Sequence, residues 1–228
     1  MKQESNSIPH IEIQKSIPVR SENEEVGSRE NKEKAPKKYK NLVIAPCFEN
    51  NEHHSGLDWN TRFRIMSASA FFENGRAERI IVGGGRLREM KESFSELMKK
   101  ELIKRGVPEN VIDTEESTFD TASQIDWIKN NLDKKDGNLG FIADSAQAEH
   151  IIALRKGFGM EKDVDILSIE EMVKEMANNK HYLSFFEKLR DGSDWKKFQL
   201  REKILALFTK YFDSKGEIVG KISQFRKN

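Results

Sequence analysis

The sequence predicts an α/β fold, a Rossmann-like three-layer sandwich in which a parallel sheet lies between two layers of helices, followed by a helical C-terminal extension. Short apolar runs rich in β-branched residues alternate with longer segments of helical periodicity from about residue 40 to residue 168. Glycine or proline ends most of these segments. Strands that alternate with helices in this way pair in parallel through right-handed crossovers.

Each element has its own signal. The first strand is the apolar run 41–46, which a proline closes, and the helix over 60–74 is followed by Gly75, a residue typical of helix ends. The second strand, 79–82, runs into three glycines. The remaining predicted elements are a helix over 89–105, an extended piece at 111–112, a helix over 121–132, a strand at 140–143, a helix from about 145 that ends before Gly157, and a strand at 164–167.

The chain divides into three regions. Residues 1–38 are mostly Glu, Lys, Ser and Asn, which predicts a disordered charged tail, with a short strand formed on a partner as the alternative. Residues 40–168 form the Rossmann-like domain, and residues 169–228 show only helical signals, over 169–178, 182–189 and 195–212. The last helix carries one apolar stripe, which we expect to pack on the domain or on a partner: Trp195, Phe198, Ile204, Leu205, Phe208, Tyr211 and Phe212.

The composition excludes several classes of protein. The 39 basic and 38 acidic residues nearly cancel, so the chain has no overall field that would favour nucleic acid. No apolar stretch approaches the ~18 residues of a membrane span, and the first residues lack a signal-peptide pattern. The single cysteine, Cys47, cannot form an internal disulfide. These features predict a cytoplasmic protein with no membrane span.

The candidate ligand site lies at the carboxyl ends of the strands, because parallel sheets bind ligands there, beside helix N-termini. The run Gly83-Gly84-Gly85 ends the second strand and would let a phosphate, carboxylate or ribose approach the backbone. Asp120 precedes the third helix and Thr121 stands at its start, where capping of the helix is the commoner use of either residue. The residues after the fourth strand are Asp144, Ser145, Gln147 and His150; His150 is either an acid, base or phosphate donor, or structural.

The loop over 47–59 is a polar insertion that either folds over this site or is a solvated surface loop. It contains His53 and His54, which with Cys47 and His150 are the available soft metal ligands. The spacings HxxxH and CxxC do not occur, so the sequence predicts no metal site. Nucleophilic catalysis by Cys47 would require a nearby base, which the sequence does not indicate.

The order of these motifs over residues 41–168 resembles the ElyC/SanA/YdcF family, a bacterial group built on a domain of unknown function. In this resemblance Arg64 falls on the family's helix arginine, Gly83 and Gly84 fall on its paired glycines, and Thr118 and Thr121 fall on its serine and threonine. The features that carry it are the opening apolar strand, the arginine-containing helix ending Phe72-Glu-Asn-Gly75, the segment Ile80-Ile-Val-Gly-Gly84, Gly106-Val-Pro108 before Glu115, and Thr118-Phe-Asp-Thr121, in which Asp120 replaces the usual asparagine.

The resemblance implies a Rossmann-like fold, a connection with the cell envelope or peptidoglycan and, from one member, binding of S-adenosylmethionine. In the fourth loop the family's threonine-serine, histidine and arginine correspond to Ala143-Asp144, Gln147 and His150. A guanidinium holds a phosphate or carboxylate by two parallel hydrogen bonds, which Gln147 and His150 cannot reproduce. Either the ligand therefore differs from the family's, or the protein has a non-catalytic role.

Two classes of function follow. The first is a small-molecule-binding protein that holds a nucleotide-like or anionic ligand between the Gly83 turn, the 118–121 loop and the 144–150 loop, with Arg64 supplying positive charge. By resemblance, the ligand is S-adenosylmethionine or an envelope-precursor metabolite. The second is a non-enzymatic adaptor with a degenerate pocket that binds partners through the tail and the C-terminal helices. A methyltransferase, in which Asp144 holds the ribose hydroxyls, is a third option. The sequence specifies no reaction.

Overall fold

The computed structural model describes residues 36–47, 56–87, 90–132, 137–161, 163–175 and 190–218, together with residues 184, 187, 188 and 221. The predicted tail up to residue 35, most of the polar loop 47–59 and most of the predicted helix 182–189 lie outside these ranges. Those interpretations stay predictions.

The strands form one sheet in which every pair of neighbours is parallel. Their order across the sheet is β3-β2-β1-β4-β5. The central strand is β1, in which Val43 pairs with Ile81 on one side and with Phe141 on the other. The predicted Rossmann-like α/β sandwich is confirmed. The strands are β1 (Tyr39–Ile44), β2 (Ala77–Gly83), β3 (Ile112–Glu115), β4 (Leu139–Ala143) and β5 (Val164–Ser168).

The helices agree with the sequence prediction except at one start. The helix predicted from residue 89 begins at Phe94, because the Ser93 hydroxyl accepts a hydrogen bond from the Glu96 amide (3.1 Å) and the Glu96 carboxylate accepts one from the Ser93 amide (3.0 Å). The helices are α1 (Trp59–Glu73), α2 (Phe94–Lys104), α3 (Thr121–Asn131), α4 (Ser145–Gly157), α5 (Ile169–Glu175) and α6 (Ser193–Tyr211), with a 3-10 turn (Glu109–Val111) before β3.

Aspartates fix the N-termini of three helices that begin at the carboxyl edge of the sheet. Asp58, Asp120 and Asp144 each accept a hydrogen bond from the backbone amide three residues later, at 2.8, 2.9 and 2.8 Å. Each such cap stabilises its helix by about 1 kcal/mol. Capping, the commoner use of an aspartate at this place, is therefore the role that Asp120 has in the structure.

Successive side chains of β1 enter two separate apolar cores, one on each face of the sheet. Leu42 and Ile44 pack with α1, α2 and α5, whereas Val43, together with Ala45 just after the strand, packs with α3 and α4. Because both faces are covered, the strand sequences are almost continuously apolar rather than alternating. The helices that follow β1 and β4 therefore lie on opposite faces.

The chain reverses its direction across the sheet between β1 and β4. From β1 it adds β2 and β3 on one side, and it then crosses to add β4 and β5 on the other. In doubly wound sheets the loops diverge at such a switch point and leave a crevice at the carboxyl ends of the two strands, where ligands bind. A site in this protein is expected between the end of β1 and the end of β4.

The C-terminal helix α6 packs along α4 and has two apolar faces. Trp195 and Phe198 are buried, whereas Ile204 and Tyr211, from the same predicted stripe, are 57% and 65% exposed. The residues of the predicted stripe therefore divide between the side of α6 that meets the domain and its exposed side, because apolar spacing alone cannot show which side of a helix meets the domain. Among the helices in the described ranges, none combines the length and the apolar character needed to cross a membrane.

Candidate functional site

A fully buried arginine crosses the crevice between β1 and β4. Arg64, on α1, has 0% exposed surface. Its Nη2 donates to Asp144 Oδ2 (2.7 Å) and to Gln147 Oε1 (2.9 Å), both at the start of α4. Its Nη1 donates to the Ala45 carbonyl at the end of β1 (3.0 Å), and its Nε donates to Asn60 Oδ1 (3.2 Å). The guanidinium thus joins helices on opposite faces of the sheet.

The network continues to α3. Gln147 Nε2 donates to Thr121 Oγ1 at 3.1 Å, and Asn60 Nδ2 donates to Asp144 Oδ2 at 3.0 Å. The structure therefore brings together four of the predicted site residues. Sequence reasoning missed Asn60, although its position four residues before Arg64 places both on one helix face and could have indicated it. We name these five residues the arginine network: Asn60, Arg64, Thr121, Asp144 and Gln147.

Neighbouring acidic groups favour the charged form of the Arg64 guanidinium. Burial alone would lower the pKa of Arg64, but the negative charge of Asp144, with smaller contributions from Cys47 and Asp58, raises that pKa above its ordinary value. Asp58 is the N-cap of α1. Burial raises the pKa of the Asp58 carboxyl, although hydrogen bonds from Thr61 act in the opposite direction. Arg64 therefore stays protonated over the ordinary pH range.

The glycine run at the end of β2 is packed against the loop that follows β3. The Gly84 amide donates to the Glu115 carbonyl (2.8 Å) and the Gly85 amide donates to the Thr118 carbonyl (2.9 Å). A Cβ on Gly85 would lie 2.2 Å from Phe119 Cζ, and one on Gly83 would lie 3.7 Å from Thr118 Oγ1. A ligand that used these amides would have to displace the two carbonyl oxygens.

A buried carboxylate, that of Glu115, accepts hydrogen bonds within the same loop. No sequence pattern predicted Glu115 as a site residue. Glu115, at the end of β3, is 5% exposed and accepts hydrogen bonds from the hydroxyls of Ser117 and Thr118. Beside it lies a cavity of about 10 Å³, which Gly83, Glu115 and Gln124 help to line. A volume of this size holds roughly one water molecule, not a metabolite.

The N-terminus of α4 is occupied by an internal anion. Glu170, the second residue of α5, is 7% exposed, and both its carboxylate oxygens lie 3.0 Å from the Ser145 amide. The hydroxyls of Ser145 (2.5 Å) and Ser168 (2.8 Å) also donate to this carboxylate. Burial raises the pKa of Glu170, but these hydrogen bonds outweigh it and lower the pKa below 4.5. The predicted site residue Ser145 therefore binds a side chain of the protein itself.

Replacing Glu170 with glutamine is expected to lower the free energy of unfolding at pH 7 by about 1.5–3 kcal/mol, because hydrogen bonds to a charged acceptor are lost. Since the folded-state pKa lies below the unfolded value, the stabilisation is present above the unfolded pKa of about 4.5 and disappears as the pH falls through the folded-state pKa. Urea unfolding at pH 7 and pH 3.5 measures this difference. The exposed neighbour Glu171→Gln is the control; an equal loss in both variants would contradict the assignment.

His150 is directed towards the C-terminal helix rather than the arginine network. Its Nδ1 lies 3.3 Å from Glu202 Oε2 on α6, and both side chains are buried. Burial raises the pKa of Glu202, but the hydrogen bond with His150 and the charges of His150 and Arg201 lower it overall. Sequence reasoning missed Glu202 because no local pattern links residues 52 positions apart.

The N-terminal half of α6 covers the end of the crevice. Trp195 and Phe198 pack on Cys47, which follows β1, and on Ala146, in the first turn of α4. The Trp195 ring centroid lies 5.5 Å from that of Trp59, at the start of α1. The carboxyl ends of β1 and β4 are thus closed by aromatic side chains from the C-terminal helix.

The fold and this geometry define a class: a Rossmann-like α/β protein with a buried, internally bonded arginine network at the switch point of its sheet. Within the ranges that the structure describes, no group of three or more His, Cys, Asp or Glu side chains is placed to hold a metal ion. Comparison of the chain with models of known protein families, with characterised proteins and with solved structures gives no match in any of the three.

Proposed function

We propose that the protein binds a small anionic ligand at the switch-point crevice, beside the arginine network. The observation that supports this most is the burial of the Arg64–Asp144 ion pair at the carboxyl ends of β1 and β4, where the side chains are 0% and 1% exposed. A buried ion pair is seldom required for stability, because apolar residues of similar volume serve as well or better. Its position at the edge where parallel sheets bind ligands therefore favours a binding role.

The groups available to such a ligand lie at the start of α3. Thr121 Oγ1 accepts a hydrogen bond from Gln147, and its own hydroxyl hydrogen has no acceptor among the residues that the structure describes. At the start of α3 the Ser123 amide donates to the capping Asp120 carboxylate, which leaves the amides of Thr121 and Ala122, without a partner inside the helix, to carry the positive end of its dipole. Arg64 is a positioning residue in this proposal, since each of its nitrogens already donates to a protein acceptor.

Two considerations narrow the class of ligand. Nucleotide-like compounds and S-adenosylmethionine are candidates because the motif order resembles that of the ElyC/SanA/YdcF family. A phosphate or carboxylate is the group that the Thr121 and Ala122 amides favour, beside the Asp120 carboxylate that caps the same helix. A cytoplasmic location, which the single cysteine favours, belongs to the same proposal. We propose binding, without a reaction.

A thermal-shift screen with inorganic phosphate, AMP, ATP, glucose 6-phosphate and S-adenosylmethionine tests the proposal. A ligand at about 100 times its dissociation constant stabilises the folded state by roughly 2.7 kcal/mol, which raises the melting temperature of a protein of this size by roughly 5–10 °C. We expect Thr121→Val to remove most of the shift for any compound that binds. Thr114→Val, an exposed substitution on β3, should leave the shift unchanged.

A second candidate is a protein without a small ligand, in which the arginine network only joins α1 to α4. The observation that favours it is the closure of the crevice by Trp195 and Phe198. If no compound in the screen raises the melting temperature, or if the two threonine variants respond equally, the ligand proposal is wrong and this candidate stands.

A further inference from the structure

The outward side of α6 carries a row of exposed apolar side chains. Leu200, Ile204, Leu207 and Tyr211 are between 57% and 65% exposed. They lie away from Trp195 and Phe198, which bury the opposite side of the helix. Their spacing of four, three and four residues is that of alternating d and a positions in a heptad. Large apolar side chains contiguous on a surface mark an interaction site more often than chance exposure. We name these four residues the outer stripe.

The charges beside the outer stripe are all positive. Lys196, Lys203 and Lys210 recur every seven residues along one flank, and Arg201 lies on the other. The segment 196–211 contains a single acidic residue, Glu202, which is 3% exposed, faces His150 inside the protein and accepts a hydrogen bond from Arg201 Nη2 (2.9 Å), so that the lysine row carries most of the unpaired positive charge. The exposed side of α6 is therefore a basic amphipathic surface, whose complement is acidic.

The width of the stripe indicates what kind of surface covers it. At about 100° per residue its four members fall within an arc of roughly 60°, which is the narrow seam of a helix pair. Phe212, 79% exposed, is the C-cap residue beyond the helix; it stacks on Phe208 with ring centroids 5.8 Å apart and lies outside this arc. A helix that lies in a membrane interface presents a broad apolar face instead. A narrow stripe with regular 4-3-4 spacing fits knobs-into-holes packing against a single helix.

A second copy of the chain does not fit this surface. In an antiparallel pair the lysine row would face itself, and in a parallel pair Lys196 would face Arg201 of the other copy. Like charges in these positions disfavour association. We therefore propose that the outer stripe binds an amphipathic helix of another protein, with apolar residues at a and d and Glu or Asp at e and g.

The proposed contact is small. The stripe spans twelve residues of helix, or about 18 Å, which is short of a standard interface. We expect a dissociation constant in roughly the micromolar range that weakens with added salt, because the lysines and their partners are exposed. This inference goes beyond the ligand site and does not depend on it, since the outer stripe and the arginine network lie on opposite sides of α6.

Fluorescence anisotropy of a labelled designed peptide tests the proposal with the full chain. The peptide has leucine at a and d and glutamate at e and g, and a second peptide has lysine at e and g. We expect the full chain to bind the glutamate peptide at least about 10-fold more tightly than the lysine peptide. Ile204→Glu should weaken binding of the glutamate peptide by about 10-fold or more.

Two further variants show whether binding depends on the outer stripe itself or on any added charge at the protein surface. Lys203→Glu should weaken binding of the glutamate peptide and strengthen binding of the lysine peptide, because only the sign of one flanking charge changes. Ile152→Glu places the same charge at an exposed apolar position on α4, 46% exposed, and should change neither affinity. Because both α6 positions are exposed, we expect the variants to fold, and their melting temperatures check this.

Three results would overturn the proposal. One is failure of the glutamate peptide to bind. Another is binding of vesicles of phosphatidylglycerol by the wild-type chain but not by Ile204→Glu, with no peptide binding, which would assign the surface to an anionic membrane. The third is a dimer in sedimentation that Ile204→Glu dissociates, which would assign it to a second copy.

Discussion

Replacing Arg64 with methionine is expected to lower the free energy of unfolding by about 3–5 kcal/mol, the typical effect of removing one partner of a buried ion pair. The Asp144 carboxylate would remain buried without its cation, and Gln147 Oε1 and the Ala45 carbonyl would lose their donor. Methionine keeps much of the side-chain volume, so the loss arises from charge and hydrogen bonding more than from a cavity. Urea unfolding at pH 7 measures it.

The surface pair Arg79–Asp113 provides the matched control. Both side chains are 40% or more exposed, so Arg79→Met should cost less than about 1 kcal/mol. A second comparison measures how much of the loss comes from the Asp144 carboxylate that Arg64→Met leaves without a cation. Asp144→Asn keeps an acceptor for the Gln147 amide, so the Arg64→Met/Asp144→Asn variant should be more stable than Arg64→Met alone. If the double variant is the less stable of the two, the electrostatic account of the network is wrong.

Replacing Gly85 with alanine is expected to cost about 3 kcal/mol, because the new Cβ would lie 2.2 Å from Phe119 Cζ and 2.5 Å from the Glu116 carbonyl oxygen. The second neighbour is backbone, so a side-chain rotation alone cannot relieve the overlap. The loop after β3 must move away from β2, which would break the hydrogen bond between the Gly85 amide and the Thr118 carbonyl. Urea unfolding measures the loss of stability.

Gly56→Ala is the corresponding control, since a Cβ on Gly56 would meet no atom within 4 Å. We expect its free energy of unfolding to stay within about 0.5 kcal/mol of the wild-type value. Equal losses in the two alanine variants would mean that the packing of Gly85 against Phe119 is not what makes that glycine necessary.

The fold could be predicted because its signals are local. The alternation of apolar runs and helical segments, the glycine after α1 and the aspartate caps each depend on a few neighbouring residues. Helical periodicity alone starts α2 too early, because the capping pair Ser93 and Glu96, and not the first apolar residue, sets where this helix begins. Both faces of α6 carry apolar residues, so spacing could not assign Trp195 to the core and Tyr211 to the surface.

The candidate site could be predicted only in part, because its contacts join distant residues. The sequence indicated Arg64, Thr121, Asp144 and Gln147 as site residues from their places at strand ends and from the resemblance. That Arg64 donates to Asp144, 80 residues away, follows only from the meeting of β1 and β4 in the sheet. Glu170 and Glu202 gave no signal, since an acidic residue in a helix is ordinarily solvated.

The central place of β1 in the sheet bears on how the chain folds as it is synthesised. β1 is the first strand within the described residues, and β2 and β3 extend the sheet from one of its edges. Its other edge stays unpaired until Leu139–Ala143 has left the ribosome. An unpaired strand edge is a template for wrong association. Slow translation between β3 and β4 would therefore prolong the interval in which the nascent chain is most prone to aggregate.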